Sequence, residues 1–102
     1  MIKHTLYIGL NDKDTKQQEI STLDAFKIVL NSVKSCYDGA TVKDCKGFYT
    51  HADGSITIEN SFEVSILNAD EVRTRSVIEM LKTMLNQESI ALQREEITSE
   101  LI

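Results

Sequence analysis

The sequence predicts an α+β domain of the ferredoxin-like class, with the element order β-α-β-β-α-β and a four-stranded antiparallel sheet. Two observations favour this class. Alternating apolar residues around an Asp-Gly pair are typical of a hairpin, and two stretches with apolar residues at every third or fourth position are typical of helices. Right-handed crossovers place both helices on one sheet face, with the spatial strand order 4-1-3-2. The length of 102 residues predicts one domain, residues 1–102.

The first strand is predicted over residues 2–10. Ile2, Leu6, Ile8 and Leu10 share one face with His4, which is the pattern of a half-buried strand. We expect His4 to be a partly buried, hydrogen-bonded residue near the sheet edge rather than a ligand of a bound group.

The helices are predicted from their end signals and their apolar stripes. Ser21 is a suitable N-cap for the first helix, and Asp38-Gly39 ends it. Its predicted buried stripe is Leu23, Phe26, Leu30, Val33 and Tyr37. The second helix begins near Asp70, with Asn68 and Asp70 both able to cap it. Its stripe is Val72, Val77, Ile78, Leu81, Met84 and Leu85, and a last strand follows over residues 89–96.

A hairpin is predicted between the helices, with Asp53-Gly54 as a two-residue type I′ turn. A straight ladder from that turn would place Val42 opposite polar Ser65. One extra residue within residues 45–47 would instead place Val42 opposite Val64. We therefore expect a β-bulge in this segment.

Asn60 interrupts the apolar face of the return strand, which otherwise carries Ile56, Ile58, Phe62, Val64 and Ile66. Its amide is expected to bond ladder groups that the bulge leaves unpaired, with a ligand contact as the alternative. The bulge also predicts that valine at Gly47 is destabilising, because glycine suits an irregular backbone.

The hairpin is long for so small a domain. Residues 56–67 extend about 40 Å at roughly 3.3 Å per residue, so the tip, residues 48–58, should project past the body. Apolar residues exposed there favour a homodimer formed through the hairpin, the neighbouring sheet edge, or both. The predicted binding surface comprises Phe48, Tyr49, Ile56, Ile58, Glu59 and Glu63.

Charge, apolar runs and cysteine content disfavour several classes of function. The 16 acidic and 11 basic residues give a net charge of −5, which disfavours general nucleic-acid binding and leaves a basic partner open. No apolar run is long enough for a membrane span, and no secretion signal is present, so a cytoplasmic protein is expected. Cys36 and Cys45 are expected to be reduced, and no metal or cofactor is expected.

No catalytic motif stands out along the chain. Glu59 and Glu63 should lie about 13 Å apart on the open sheet face, too far for a glycosidase pair. Arg73 and Arg75 could form a small anion site on the second helix, although exposed helix charges more often serve solubility. The candidate catalytic residues are Glu59, His51 and Tyr49.

Three segments resemble an uncharacterised family of small bacterial and phage-associated domains. Its pattern is G-x-T-V-x4-G-x-[WY], then D-G-x-I-x-x-E, then Q-x-S-[VI]. The matching residues are Gly39, Thr41, Val42, Gly47, Tyr49, Asp53, Gly54, Ile56, Glu59, Gln87, Ser89 and Ile90. The chain departs from the pattern where family members often carry Trp. The resemblance implies a shared fold and a shared set of polar residues, and it carries no activity.

Three functions stay open at this stage. A non-catalytic binding or assembly module is favoured, because the fold is complete and no catalytic constellation is evident. A phage-encoded inhibitor could act on a basic host protein or sequester a small nucleotide signal. A small enzyme could carry its site on the uncovered sheet face.

Overall fold

A computed structural model describes residues 1–102. The strands are β1 (Ile2–Gly9), β2 (Thr41–Thr50), β3 (Ile56–Ile66) and β4 (Ala91–Glu96), and the helices are α1 (Thr22–Lys34) and α2 (Glu71–Met84). The antiparallel sheet has the order β2-β3-β1-β4, which is the predicted order counted from the other edge. The ferredoxin-like class is therefore confirmed. Neither helix has the length and apolarity needed to cross a membrane.

The core lies between the helices and one face of β1 and β3. The predicted caps Ser21 and Asp70 are confirmed, since each side chain accepts a hydrogen bond from a backbone N–H in the first turn of its helix. The strands contribute Leu6, Ile8, Phe62, Val64 and Ile66, the helices contribute Ala25, Val29, Val33, Val77 and Leu81, and Leu10 follows directly after β1.

The buried helix faces differ from the predicted stripes. Ala25, Val29 and Thr74 face the sheet, and their small side chains allow each helix to approach it closely. Four larger apolar residues of the predicted stripes lie beside this contact instead, and Val72, at 78%, is the most exposed of them. Those that the stripes wrongly placed in the core are Leu23, Leu30, Val72 and Met84.

A series of hydrogen-bonded polar groups crosses the core from β1 to the residues that follow α1. His4 is 2% exposed and lies on a central strand, so its predicted position near the sheet edge is wrong. Its Nδ1 lies 2.7 Å from Thr74 Oγ1, which lies 2.7 Å from the Tyr37 hydroxyl. That hydroxyl donates to the Asp70 carbonyl and accepts from the Asp70 N–H, both at 2.9 Å. The series thus joins β1, the start of α2 and the residues that follow α1.

The predicted bulge is absent. Residues 41–50 pair with 56–65 in one continuous register, with Val42 opposite Val64. The extra residue lies in the turn, where the Gly54 N–H donates to His51 O and the His51 N–H donates to Ser55 O. Within this turn only Gly54 has positive φ, at 89°, and the loop has three residues rather than two. Gly47 therefore lies in a regular strand, and the predicted destabilisation by valine there has no basis in the backbone.

Asn60 marks the place where the hairpin leaves the body of the protein. Its carbonyl accepts the N–H of Leu10 at 3.0 Å, one residue past the β1–β3 ladder. Its side-chain Nδ2 donates to Gln18 Oε1 at 2.8 Å, and its Oδ1 accepts from Lys46 Nζ at 2.6 Å. Asn60 thus anchors the 11–20 link, and its predicted bonds to unpaired ladder groups are not made.

The projecting hairpin is confirmed. β1 reaches β3 only as far as the Gly9–Ser61 pair, so β3 residues before Asn60 pair with β2 alone. The molecule accordingly measures 47 × 25 × 24 Å. Phe48, Ile56 and Ile58 alternate onto the helix side of the hairpin and are 71%, 59% and 67% exposed.

A surface ion cluster joins α2 to β4. The Glu71 carboxylate accepts hydrogen bonds from Arg94 and from Arg75 Nε, and it lies 3.6 Å from His4 Nε2. The hydrogen bond from Arg94, together with the charges of both arginines, lowers the pKa of Glu71 from 4.5 to about 2. Because the folded-state pKa is depressed, this carboxylate stabilises the fold above pH 4.5, and that contribution is lost as the pH falls towards 2.

We expect the melting temperature of the wild type to fall as the pH is lowered through that window, and Glu71→Gln to fall less steeply. Part of the fall should remain in the variant, since hydrogen bonds also lower the pKa of Asp12 and of Asp53. Thermal melts at half-unit pH intervals measure the difference. Glu79→Gln, on the same helix without an arginine partner, is the control, and identical slopes for the wild type and Glu71→Gln would contradict the assignment.

Candidate functional site

The uncovered sheet face has a depression where glycines lie on both strands beside Glu59. Gly47 of β2 pairs directly with Glu59, and Gly9 of β1 pairs with Ser61, the next residue of β3 on this face. Side chains are missing on both sides of the carboxylate, so the floor there is backbone. Cys45, the next β2 residue on this face, is a half-buried free thiol.

The Glu59 carboxylate lies over the backbone of β1. Its Oε2 accepts the N–H of Asn11 at 3.0 Å. A Cβ atom at Gly9 would lie 2.5 Å from Oε1 and 2.7 Å from Oε2, closer than such contacts occur. Glycine at position 9 is therefore what allows the carboxylate to occupy this place. Oε1 is left without a hydrogen-bond or ion-pair partner in the protein, in a half-buried side chain.

The depression opens into a cleft of about 440 Å³ between the sheet, the 11–20 link and the segment that joins α2 to β4. This volume is within the usual range for a small organic ligand. A shallower trough of about 360 Å³ continues from it along the hairpin and shares Tyr7, Gly9, Tyr49 and Glu59 with it. The side chains that line the cleft include Tyr7, Lys13, Lys16, Tyr49, Glu59, Gln87 and Glu88.

Two tyrosines line the cleft on either side of Glu59 along the sheet, since Tyr49 pairs with Thr57 and Tyr7 pairs with Glu63. The Tyr7 hydroxyl donates to Gln93 Oε1 at 3.2 Å. The Tyr49 ring meets the His51 ring edge to face, with centroids 4.9 Å apart, and His51 Nε2 lies 2.6 Å from Thr57 Oγ1. Each ring is about half exposed, so both present aromatic surface to a bound molecule.

Gln87 closes the side of the cleft next to α2. It is 9% exposed, and its Nε2 donates to the carbonyls of Asn11 at 2.8 Å and Leu85 at 3.2 Å. Asn11 is thereby held between Gln87 and Glu59, because its N–H binds the carboxylate and its carbonyl binds the amide. Four residues of the pattern noted in the sequence, Tyr49, Glu59, Gln87 and Ser89, thus meet in one cleft.

The other sequence-predicted residues lie at different places. Glu63 lines the trough next to the cleft, and His51 lies behind Tyr49 at the hairpin end. The anion site stays a prediction: Arg75 pairs with Glu71, and Arg73 is exposed on α2. The apolar residues Phe48, Ile56 and Ile58 point to the other side of the hairpin, so they form a surface separate from the cleft.

Sequence reasoning missed the part of the cleft formed by the end of the first strand and the link after it. This part comprises Gly9, Asn11, Asp12, Lys13 and Lys16. A glycine at the end of a regular strand was the one available signal, but its significance depends on Glu59, which is 50 positions away in the chain. No cluster of three His, Cys, Asp or Glu side chains that could hold a metal is present.

The geometry can bind an organic cation. A half-buried carboxylate with one free oxygen attracts positive charge, and two half-exposed tyrosines line the same cleft. The same free oxygen could accept a proton from a bound molecule.

The chain belongs to a family described as a protein of unknown function, DUF3574, whose model matches residues 3–100. A search of curated proteins finds no match. Among solved structures, a phage SAM lyase in complex with S-methyl-5'-thioadenosine is similar, with a TM-score of 0.69 and 20% identity over 93% of this chain and 80% of that one.

Two other similar structures share the fold at lower scores. CutA1 from Pyrococcus horikoshii has a TM-score of 0.59 and 17% identity, covering 99% of this chain and 87% of its own. The periplasmic divalent cation tolerance protein CutA from Archaeoglobus fulgidus has a TM-score of 0.59 and 16% identity, covering 97% and 87%. At these identities the likeness establishes the fold alone.

We expect Gly9→Ala to displace the Glu59 carboxylate, because the new Cβ would occupy its place. The flexible side chain should swing away while the fold persists, so the free energy of unfolding should change by less than about 1 kcal/mol. The readout is the NMR shift of the Asn11 amide proton, which should move as its bond to Oε2 is lost.

Gly47→Ala is the matched control, since a Cβ there meets only Ser61 Oγ at 3.4 Å. The Asn11 amide should keep its wild-type shift in that variant. An unchanged Asn11 amide in Gly9→Ala would show that Glu59 does not occupy the described place.

Proposed function

We propose that this protein is a self-associating binding module whose open-face cleft holds a small organic cation attached to an aromatic ring system. The observation that carries the proposal is the Glu59 carboxylate, which is fixed over Gly9 and bonded through one oxygen only. A cationic centre would occupy the space beside Oε1, and a planar ring could lie on the backbone floor between the tyrosines. Sulfonium nucleosides have this combination of groups.

The likeness to the phage lyase supports the choice of ligand. That structure holds S-methyl-5'-thioadenosine, an adenosyl thioether, on the same fold. Binding without turnover would make the present protein a sequestering protein for a sulfonium nucleoside. A lyase is the second candidate function, and the observation that favours it is the free Glu59 oxygen, which could accept a proton within the cleft.

We expect the wild type to bind S-adenosylmethionine more tightly than S-adenosylhomocysteine, which lacks the sulfonium charge. Glu59→Gln keeps an acceptor for the Asn11 N–H but removes the negative charge, so affinity for the sulfonium should fall about tenfold. Affinity for the thioether should change little. Isothermal titration calorimetry at constant ionic strength measures both ligands.

Glu79→Gln makes the same change on α2, away from the cleft, and should bind both ligands as the wild type does. A wild type that binds neither ligand, or a Glu59→Gln variant that binds both unchanged, would contradict the proposed site. Appearance of S-methyl-5'-thioadenosine during incubation, lost in Glu59→Gln, would identify the lyase rather than the sequestering protein.

Self-association is proposed from the helix side of the hairpin. Phe48, Ile56 and Ile58 form an apolar cluster that no part of the same chain covers, and clusters of this kind mark contact surfaces. β2 also forms one edge of the sheet, with its outer backbone groups unpaired along ten residues. A second copy could cover both features at once.

We expect the wild type to sediment as a dimer at tens of micromolar and Ile58→Asp as a monomer, because the charge would lie in the centre of the apolar contact. Val72→Asp is the control, since Val72 is also largely exposed but lies on α2, away from the hairpin. A monomeric wild type would contradict the proposal, and so would a dimer that Ile58→Asp leaves intact.

A further inference from the structure

The 11–20 link forms a braced turn at the rim of the cleft. The N–H of Asp12 donates to Gln17 O at 2.8 Å, and the N–H of Lys16 donates to Asp12 O at 2.9 Å. Asp12 Oδ1 accepts the N–H groups of Asp14 at 2.8 Å and Thr15 at 3.0 Å. This turn is closed by its own hydrogen bonds, so its side chains have fixed starting points.

Asn86, which follows α2, ties this turn to the body. Its carbonyl accepts the N–H of Lys13 at 3.0 Å. Its Nδ2 donates to Asp12 Oδ2 and to Asp14 Oδ2, both at 2.9 Å. The Asn86 side chain and the turn amides together lower the pKa of Asp12, so this carboxylate stays ionised and engaged within the turn.

Two ammonium groups are carried by this braced turn. Lys13 and Lys16 both line the cleft and both are exposed, and neither forms an ion pair within the protein. Lys16 has positive φ, at 64°, and its Nζ donates to the carbonyl of Lys13. Both lysine side chains thus start from one turn at the rim, where the Asp12 and Asp14 carboxylates bind Asn86 and Asp12 also feels the charge of Lys13.

The cleft therefore presents opposite charges at two places, the carboxylate of Glu59 on its floor and the lysine pair at its rim. Two further carboxylates line the cleft, the half-buried Asp12, which binds Asn86, and the exposed Glu88 on the α2 side. We propose that Lys13 and Lys16 bind the carboxylate of a zwitterionic ligand whose cationic centre lies at Glu59. This assignment rests on the proposed function and narrows its ligand to nucleosides that carry an amino-acid side chain.

Four adenosyl compounds separate the two charges. Of the sulfonium and the carboxylate, S-adenosylmethionine carries both, decarboxylated S-adenosylmethionine the sulfonium, S-adenosylhomocysteine the carboxylate, and S-methyl-5'-thioadenosine neither. The first three compounds share an ammonium group, so differences among them report the sulfonium and the carboxylate. In the double variant Lys13→Met/Lys16→Met, the dissociation constants of the two carboxylate-bearing compounds should rise about fivefold, as expected for exposed ion pairs. Those of the other two should stay unchanged.

The matched control is Lys27→Met/Lys34→Met, which removes the same net charge from exposed positions on α1. It should bind all four compounds as the wild type does. An equal change for all four compounds in the Lys13/Lys16 variant, or no change for any, would overturn the carboxylate assignment while Glu59-dependent binding still stood. A wild type that binds none of the four would overturn the proposed function and this inference together.

Discussion

The structure depends on a mismatch of length between neighbouring strands. β3 has 11 residues, but β1 pairs with it only from His4–Ile66 to Gly9–Ser61, and the helices cover only that part. The remainder of β3 must extend with β2 into solvent. The ladder to β1 stops beside Glu59, and this stop creates the edge at which a link, a glycine and a carboxylate can meet. The projecting hairpin and the cleft are thus two results of one constraint.

Three segments that are far apart in the sequence meet in the cleft at the backbone of Asn11. The N–H of Asn11 binds Glu59, its carbonyl binds Gln87, and Gly9, two residues earlier, leaves room for the carboxylate. The site therefore depends on where β1 ends rather than on a rigid helix. A change in the length of the first strand would move the floor and the rim of the cleft together.

Element order, both helix caps and the strand order were predictable, because alternation, apolar periodicity and capping are local signals. The bulge was wrong for a physical reason: Asp-Gly suits both a two-residue turn and a three-residue loop, and the choice shifts the register by one residue. The predicted helix stripes were wrong where Ala25 and Thr74 are buried and Leu23 and Val72 are exposed. Apolar periodicity does not report how closely a helix approaches a sheet. Glu59 and Tyr49 were found from their pattern, whereas Gly9 and the lysine pair depend on contacts between segments far apart in the chain.

The hydrogen bonds that join His4, Thr74, Tyr37 and Asp70 through the core have a donor-to-acceptor direction, which depends on where the protons lie. If His4 carries a proton on Nδ1, that N–H donates to Thr74, Thr74 donates to Tyr37, and Tyr37 donates to the Asp70 carbonyl. If the proton lies only on Nε2, facing Glu71, then Nδ1 accepts from Thr74 and Thr74 accepts from Tyr37. Each hydroxyl has one proton to give, so all three groups reverse together. The position of the proton on the His4 ring thereby sets the donor-to-acceptor direction of a series of hydrogen bonds that ends at Asp70, the N-cap residue of α2.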